Sequence, residues 1–216
     1  MQVSPGIVTF LFTEIEGSSR LWEQEPKRMR EVLARHDTVV ITAVRQHDGG
    51  VIKTLGDGIH AVHEDPLDAV NATIELQGAL ADSRVTDGIA VKVRCGLHAG
   101  VEPRRDDEFV GRSVNRAARI MGAAAHGGQV LISNAVAELV NGRLPDGVEL
   151  RDLGNVRLRD LASPALRTRC RVMLPFDRWQ AESDCGRSMS MDQAARALCE
   201  FAERLLAQRN KGLGLD

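Results

Sequence analysis

The chain has 216 residues, 43% of them hydrophobic and 27% charged, with a formal net charge of -2 at pH 7. That length holds one full core plus a short appendage, the hydrophobic share excludes a disordered chain, and the slight acidity disfavours a nucleic-acid partner. No apolar run approaches the roughly 20 residues that span a bilayer, and the start, MQVSPGIVTFLFTEIEG, lacks the basic region of a signal peptide, so a cytoplasmic protein with no membrane partner is expected.

Ile7 to Thr13 is an apolar run rich in β-formers, suited to a buried central strand that exits at Glu14, Ile15, Glu16 and Gly17. From Pro26 to Gln46, Met29, Val32, Leu33, His36, Val40 and Val44 recur at helical spacing until Gly49-Gly50 stops the pattern. Val51 to Leu55 and Ile59 to Val62 read as short strands around Gly56-Asp57-Gly58, a hairpin composition that puts Asp57 at the turn tip. Asp65-Pro66 is an N-cap and first-turn pair for a helix carrying Leu67, Val70, Ile74 and Ala81 inward. Val91, Val93, Cys95 and Leu97 alternate with Lys92, Arg94, Gly96 and His98, the period of a strand with one buried face. After a polar loop, Glu102 to Glu108, come a helix over Arg112 to Ala124, a strand over Gln129 to Ile132 and a short capped helix over Ser133 to Val140. Val148 to Leu153 and Arg169 to Met173 are late strand candidates. This order predicts an α+β fold, a mixed sheet with helices on one face around a ferredoxin-like core, over residues 1–175. Residues 176–216 form a C-terminal tail in which Met191, Ala194, Leu198, Phe201 and Leu205 mark an amphipathic helix, packed on its own domain or serving as a contact for a partner.

Cys95, Cys170, Cys185 and Cys199 show no CxxC spacing, which fits reduced thiols and leaves any metal chemistry to oxygen ligands. Glu14 and Asp57 are far apart in sequence but become neighbours if their strands lie side by side. Together they suit magnesium or manganese, which take one or two carboxylates plus substrate phosphates; singly, each is an ordinary solvated turn residue. Gly17, Ser18 and Ser19 precede a helical stretch and offer backbone amides to phosphate oxygens, although such a triplet is more often just a turn and helix cap. In the helix from Arg112, Asn115 and Arg119 share a face that Arg112 and Arg116 extend, opposite Val114, Ala117, Ala118 and Met121. Held on a rigid helix, these donors suit charge developing on a phosphoryl group; without the carboxylates they would be a solvated basic face.

Four blocks carry a resemblance: TFLFTEIEGSS from Thr9, IKTLGDG from Ile52, GLHAG from Gly96 and VNRAAR from Val114. In order and spacing they resemble class III nucleotidyl cyclase catalytic domains of the bacterial adenylyl cyclase type, from about Ile7 to Met173. The resemblance implies conversion of ATP to 3',5'-cyclic AMP and pyrophosphate by attack of the ribose 3'-hydroxyl on the α-phosphate, with two Mg2+ or Mn2+ ions. It makes Glu14, the carbonyl of Ile15 and Asp57 the metal ligands. It puts Lys53 and Glu108 against the purine, and has Asn115 and Arg119 position the ribose and stabilise the transition state. It also implies a homodimer whose sites take the carboxylates from one chain and the Asn/Arg helix from the other.

Two positions depart from that pattern. Glu14 stands where the family places Asp, and one extra methylene moves a carboxylate by roughly an ångström, a misplacement able to cost about a hundredfold in rate. Glu108 stands where adenylyl cyclases carry Asp or Thr, with Asp107 one residue away, while Lys53 favours adenine over guanine. An adenylyl cyclase is therefore expected first. The alternative is a degenerate or weakly active cyclase-fold module that binds nucleotide for regulation.

Overall fold

The computed structural model describes residues 6–82, 91–105, 108–124, 126–158 and 167–175. The tail helix expected in 176–216 and Asp107 lie outside the described residues. The chain opens with β1 (Val8–Ile15), α1 (Ser18–Gln24) and α2 (Pro26–Gln46), followed by the hairpin strands β2 (Gly50–Thr54) and β3 (Ile59–His63). Then come α3 (Pro66–Ala81), β4 (Val93–Gly100), the two-residue strands β5 (Arg104–Arg105) and β6 (Glu108–Phe109), and α4 (Arg112–Ala124). The last described elements are β7 (Val130–Ser133), α5 (Asn134–Leu139), β8 (Val148–Arg157) and β9 (Arg167–Pro175).

Among the described residues seven strands form one mixed sheet in the order β2-β3-β1-β4-β7-β9-β8, in which only the β4–β7 pairing is parallel. β1 lies near its centre, which is why its sequence is apolar on both sides. Leu11 and Ile15 join the main core with Met29, Val40 and Val44 of α2 and Val70, Ile74 and Leu76 of α3. Phe10 and Phe12 point the other way and meet Ala117 of α4. α2 keeps the bounds that its punctuation predicts, with Pro26 in the first turn and Asp48 in the left-handed region just past its end. α3 is capped by Asp65, whose carboxylate accepts from the Leu67 amide at 2.9 Å.

Two expectations change. Helices cover both faces of the sheet rather than one, because α4 packs on the side opposite α2 and α3. His98 and Gly96, read as the open side of β4, are consequently buried beneath it. Glycine is required at 96 because a Cβ there would lie 2.4 Å from the Met121 amide nitrogen. The polar stretch from Glu102 to Glu108 is also not wholly loop, since β5 and β6 pair within it.

Candidate active site

The site is assembled where β1 ends. The β2–β3 hairpin tip folds across that end: the Ile15 amide donates to the Asp57 carbonyl at 3.1 Å, and the Ile59 amide donates to Thr13 Oγ1 at 3.0 Å. Gly58 lies so close to β1 that a Cβ would stand 2.0 Å from the Thr13 carbonyl oxygen. These contacts bring Asp57 beside Ile15 and Glu14 despite their separation in sequence. Asp57 is not a solvated tip residue: its Oδ2 is buried and has no hydrogen-bond partner among the described residues.

An unanswered carboxylate oxygen in a buried position is costly unless something cationic completes it. The nearby donors, Glu14, Asp57 and the Ile15 backbone, are all oxygen, the chemistry that magnesium and manganese prefer. Among the described residues no group of three or more His, Cys, Asp or Glu side chains could hold a metal by itself. The residues present therefore fit a hard cation that takes its remaining ligands from water and phosphate, and they do not form a closed structural cage.

Glu14 is differently placed. It is the direct cross-strand partner of Arg94 in β4, whose Nε donates to Glu14 Oε2 at 2.7 Å while Nη2 approaches the same oxygen. Behind the hairpin, His36 of α2 is fully buried, and burial lowers its pKa, an effect opposed by its hydrogen bond to Asp37 and by the charges of Asp37 and Asp57. His36 Nε2 is buried without a partner among the described residues. Neither Arg94 nor His36 stands out in the sequence. His36 reads as one more position of an apolar stripe, and the pairing of Arg94 with Glu14 depends on a strand register that the sequence does not display.

Lys53 is exposed on β2, opposite His60, which in turn pairs with Phe12 and stacks on it at 4.3 Å. That register puts Lys53 on the face that carries Phe12 and Glu14, the face that α4 covers. Gly17 is the left-handed residue at the turn from β1 into α1, so Gly17, Ser18 and Ser19 follow Ile15 and Glu16 at the same end of the sheet. Glu108 pairs with Arg105 in the β5–β6 hairpin through its backbone.

α4 is fixed at its start by Glu102, whose Oε1 accepts from the Ser113 amide at 2.5 Å, and along its length by the burial of Ala117 and Ile120. Asn115 is exposed and Arg119 half-buried. Among the described residues no side-chain hydrogen bond or ion pair engages either one, and none joins them to Glu14 or Asp57 of the same chain. The structure thus brings the Asp57 backbone against the end of β1 and leaves the donor pair unengaged. Cys95 is a buried thiol of β4, its pKa pushed up to about 12 by burial against the opposing effect of a Gln77 hydrogen bond, and it is inert at neutral pH.

Comparison with known proteins bears on this arrangement. Residues 3–170 match the family described as the adenylate and guanylate cyclase catalytic domain. An uncharacterised protein of Mycobacterium tuberculosis is 37% identical over 161 residues, covering 74% of this chain and 54% of the relative. The receptor-type adenylate cyclase ESAG 4 of Trypanosoma brucei brucei is 28% identical over 199 residues, covering 73% of this chain and 16% of that protein. Among solved structures, the adenylyl cyclase CyaB of P. aeruginosa superposes with a TM-score of 0.66 at 19% identity, covering 81% of this chain and 96% of that one, which shows the shared fold. The chain belongs to the class III adenylate and guanylate cyclase catalytic-domain family. Adenylyl cyclases stand among its relatives, and it spans about half the length, or less, of the curated ones it matches.

Proposed function

We propose that this chain is an adenylyl cyclase that converts ATP to 3',5'-cyclic AMP and pyrophosphate in the cytoplasm, at sites shared between the two chains of a homodimer. The observation that carries the proposal is the buried, unpartnered Oδ2 of Asp57, laid by the hairpin against the exit of β1 beside Glu14. Glu14, the Ile15 carbonyl and Asp57 hold the divalent cations, Mg2+ or Mn2+, which when bound neutralise phosphate charge and favour the deprotonated ribose hydroxyl. Gly17, Ser18 and Ser19 turn their amides to the polyphosphate, and Lys53 with Glu108 reads adenine. Asn115 orients the ribose, and the Arg119 guanidinium stabilises the charge that develops on the α-phosphate.

Asn115 and Arg119 lie on a helix whose opposite side is buried in its own chain and are not engaged within it, which supports their serving the carboxylates of a second copy. The pairing of Glu14 with Arg94 supports a second reading, a nucleotide-binding module of low turnover. Mixing two inactive variants, Asp57→Ala and Arg119→Ala, tests the shared site. Half of the randomly mixed dimers rebuild one of their two sites, so about a quarter of the parent activity is expected. No recovery contradicts the shared site.

A further inference from the structure

The two carboxylates at the end of β1 are in opposite states. Asp57 keeps a buried oxygen that nothing in the described chain answers, whereas Glu14 is already answered by a cation that the protein itself supplies. Arg94 stands directly across the antiparallel β1–β4 pair, and its Nε and Nη2 both reach the same oxygen, Glu14 Oε2. Cβ atoms of residues opposite one another in such a pair are about 5 Å apart, so the glutamate arm is long enough to lie along the arginine and meet the inner edge of its guanidinium. An aspartate, one methylene shorter, would draw its carboxylate back toward β1 and away from that edge.

A divalent cation has to displace the guanidinium to take that Glu14 oxygen. Any divalent ion entering beside Asp57 meets a Glu14 oxygen already committed and a fixed positive charge alongside it, so the three side chains together present a net charge of about -1 rather than -2.

Resting on the assignment of Glu14 and Asp57 as cation ligands, we infer that Arg94 is an internal counterion that competes with the divalent cation for Glu14 and keeps the affinity for free metal low. Arg94 is a positioning residue in this account, acting through Glu14. The glutamate that departs from the family pattern is what makes the competition possible, because its reach matches the cross-strand arginine. The pair is half-exposed on both sides, with side-chain exposures of 28% for Arg94 and 33% for Glu14. A pair so placed adds little to folding, so its removal leaves the fold standing.

The test is a titration of the purified chain with Mn2+ alone, free ion being counted from its solution EPR signal, for the parent, Arg94→Gln, Glu14→Asp, the double variant and Asp57→Ala. Arg94→Gln is expected to bind Mn2+ about tenfold more tightly than the parent, equivalent to about 1.4 kcal/mol, and Asp57→Ala to lose the site. On the Glu14→Asp background the same Arg94→Gln change is expected to gain only about twofold, since the shorter arm has already left the guanidinium. Should Arg94→Gln fail to fold, Arg94→Lys retains the charge without the fork and is expected to gain about threefold. Asp57-dependent binding that is unchanged or weaker in the Arg94 variants would overturn the competition while leaving the metal assignment standing. Absence of Asp57-dependent binding in every variant would overturn the metal assignment, and the inference with it.

Discussion

Gly58→Ala places a methyl group where the structure has no room for one. Its Cβ would lie 2.0 Å from the Thr13 carbonyl oxygen, 3.0 Å from the Thr13 carbonyl carbon and 3.3 Å from Glu14 Cα, all backbone atoms of a central strand. Reaching ordinary contact at 3.4 Å requires the hairpin tip and β1 to part by about 1.4 Å. That separation strains both bonds holding the tip, Ile15 amide to Asp57 carbonyl and Ile59 amide to Thr13 Oγ1. Overpacking costs roughly 1–3 kcal/mol and each of the two hydrogen bonds about 1 kcal/mol, so a loss of roughly 3–5 kcal/mol in unfolding free energy is expected. Asp57 moves with the tip, and a misplacement of roughly an ångström at a reacting centre costs about a hundredfold in rate. Urea unfolding followed by circular dichroism, paired with cyclic nucleotide formation at saturating ATP and Mn2+, measures both effects. A variant that keeps the parent midpoint and the parent rate refutes the close seating of the hairpin on β1.

Two further outcomes follow from buried groups away from the site. His63 is almost fully buried beneath Gly49, with neither ring nitrogen hydrogen-bonded among the described residues; burial and the charge of His47, partly offset by Asp48, lower its pKa from 6.5 to about 4. The unfolded chain therefore takes up a proton near pH 6.5 that the folded chain refuses until about pH 4, so the His63 contribution is fully present above 6.5 and lost as pH falls between those values. His63→Phe should lose less stability than the parent between pH 7 and pH 5, by roughly 2 kcal/mol in paired urea titrations; parallel losses contradict this. Ser133 Oγ both caps α5, accepting from the Val136 amide at 3.4 Å, and hydrogen-bonds His98 Nδ1 at 2.8 Å. Ser133→Ala should cost about 1–3 kcal/mol by thermal unfolding, and an unchanged transition would show that neither bond contributes.

Elements with local punctuation were legible from the sequence. α2 begins at Pro26 and stops before Gly49-Gly50, α3 begins at the Asp65-Pro66 cap, and the β2–β3 hairpin turns at Gly56-Asp57-Gly58. What the sequence hid depends on contacts between distant segments. β4 reads as a one-sided strand because His98 and Gly96 are not apolar, yet α4 covers both: His98 satisfies Nδ1 with Ser133, and Gly96 gives the helix backbone its approach. Asp57 and Glu14 stand out in the sequence as a pair, but the burial of Asp57 Oδ2 goes with the seating of Gly58 on Thr13, a tertiary contact without a local signature. Arg94 has no signature of its own for a similar reason, since its partner is set by the register of β1 against β4.

Incubating the purified chain with ATP, and separately with GTP, in the presence of Mn2+ or Mg2+ and resolving the products by chromatography tests the adenylyl cyclase activity itself. Cyclic AMP is expected from ATP, with little cyclic GMP from GTP, and complete loss of product in Asp57→Ala. Cyclic AMP formation that survives Asp57→Ala, or its absence in the parent with either metal while Glu14→Asp produces it, would contradict the account of this chain as an active adenylyl cyclase.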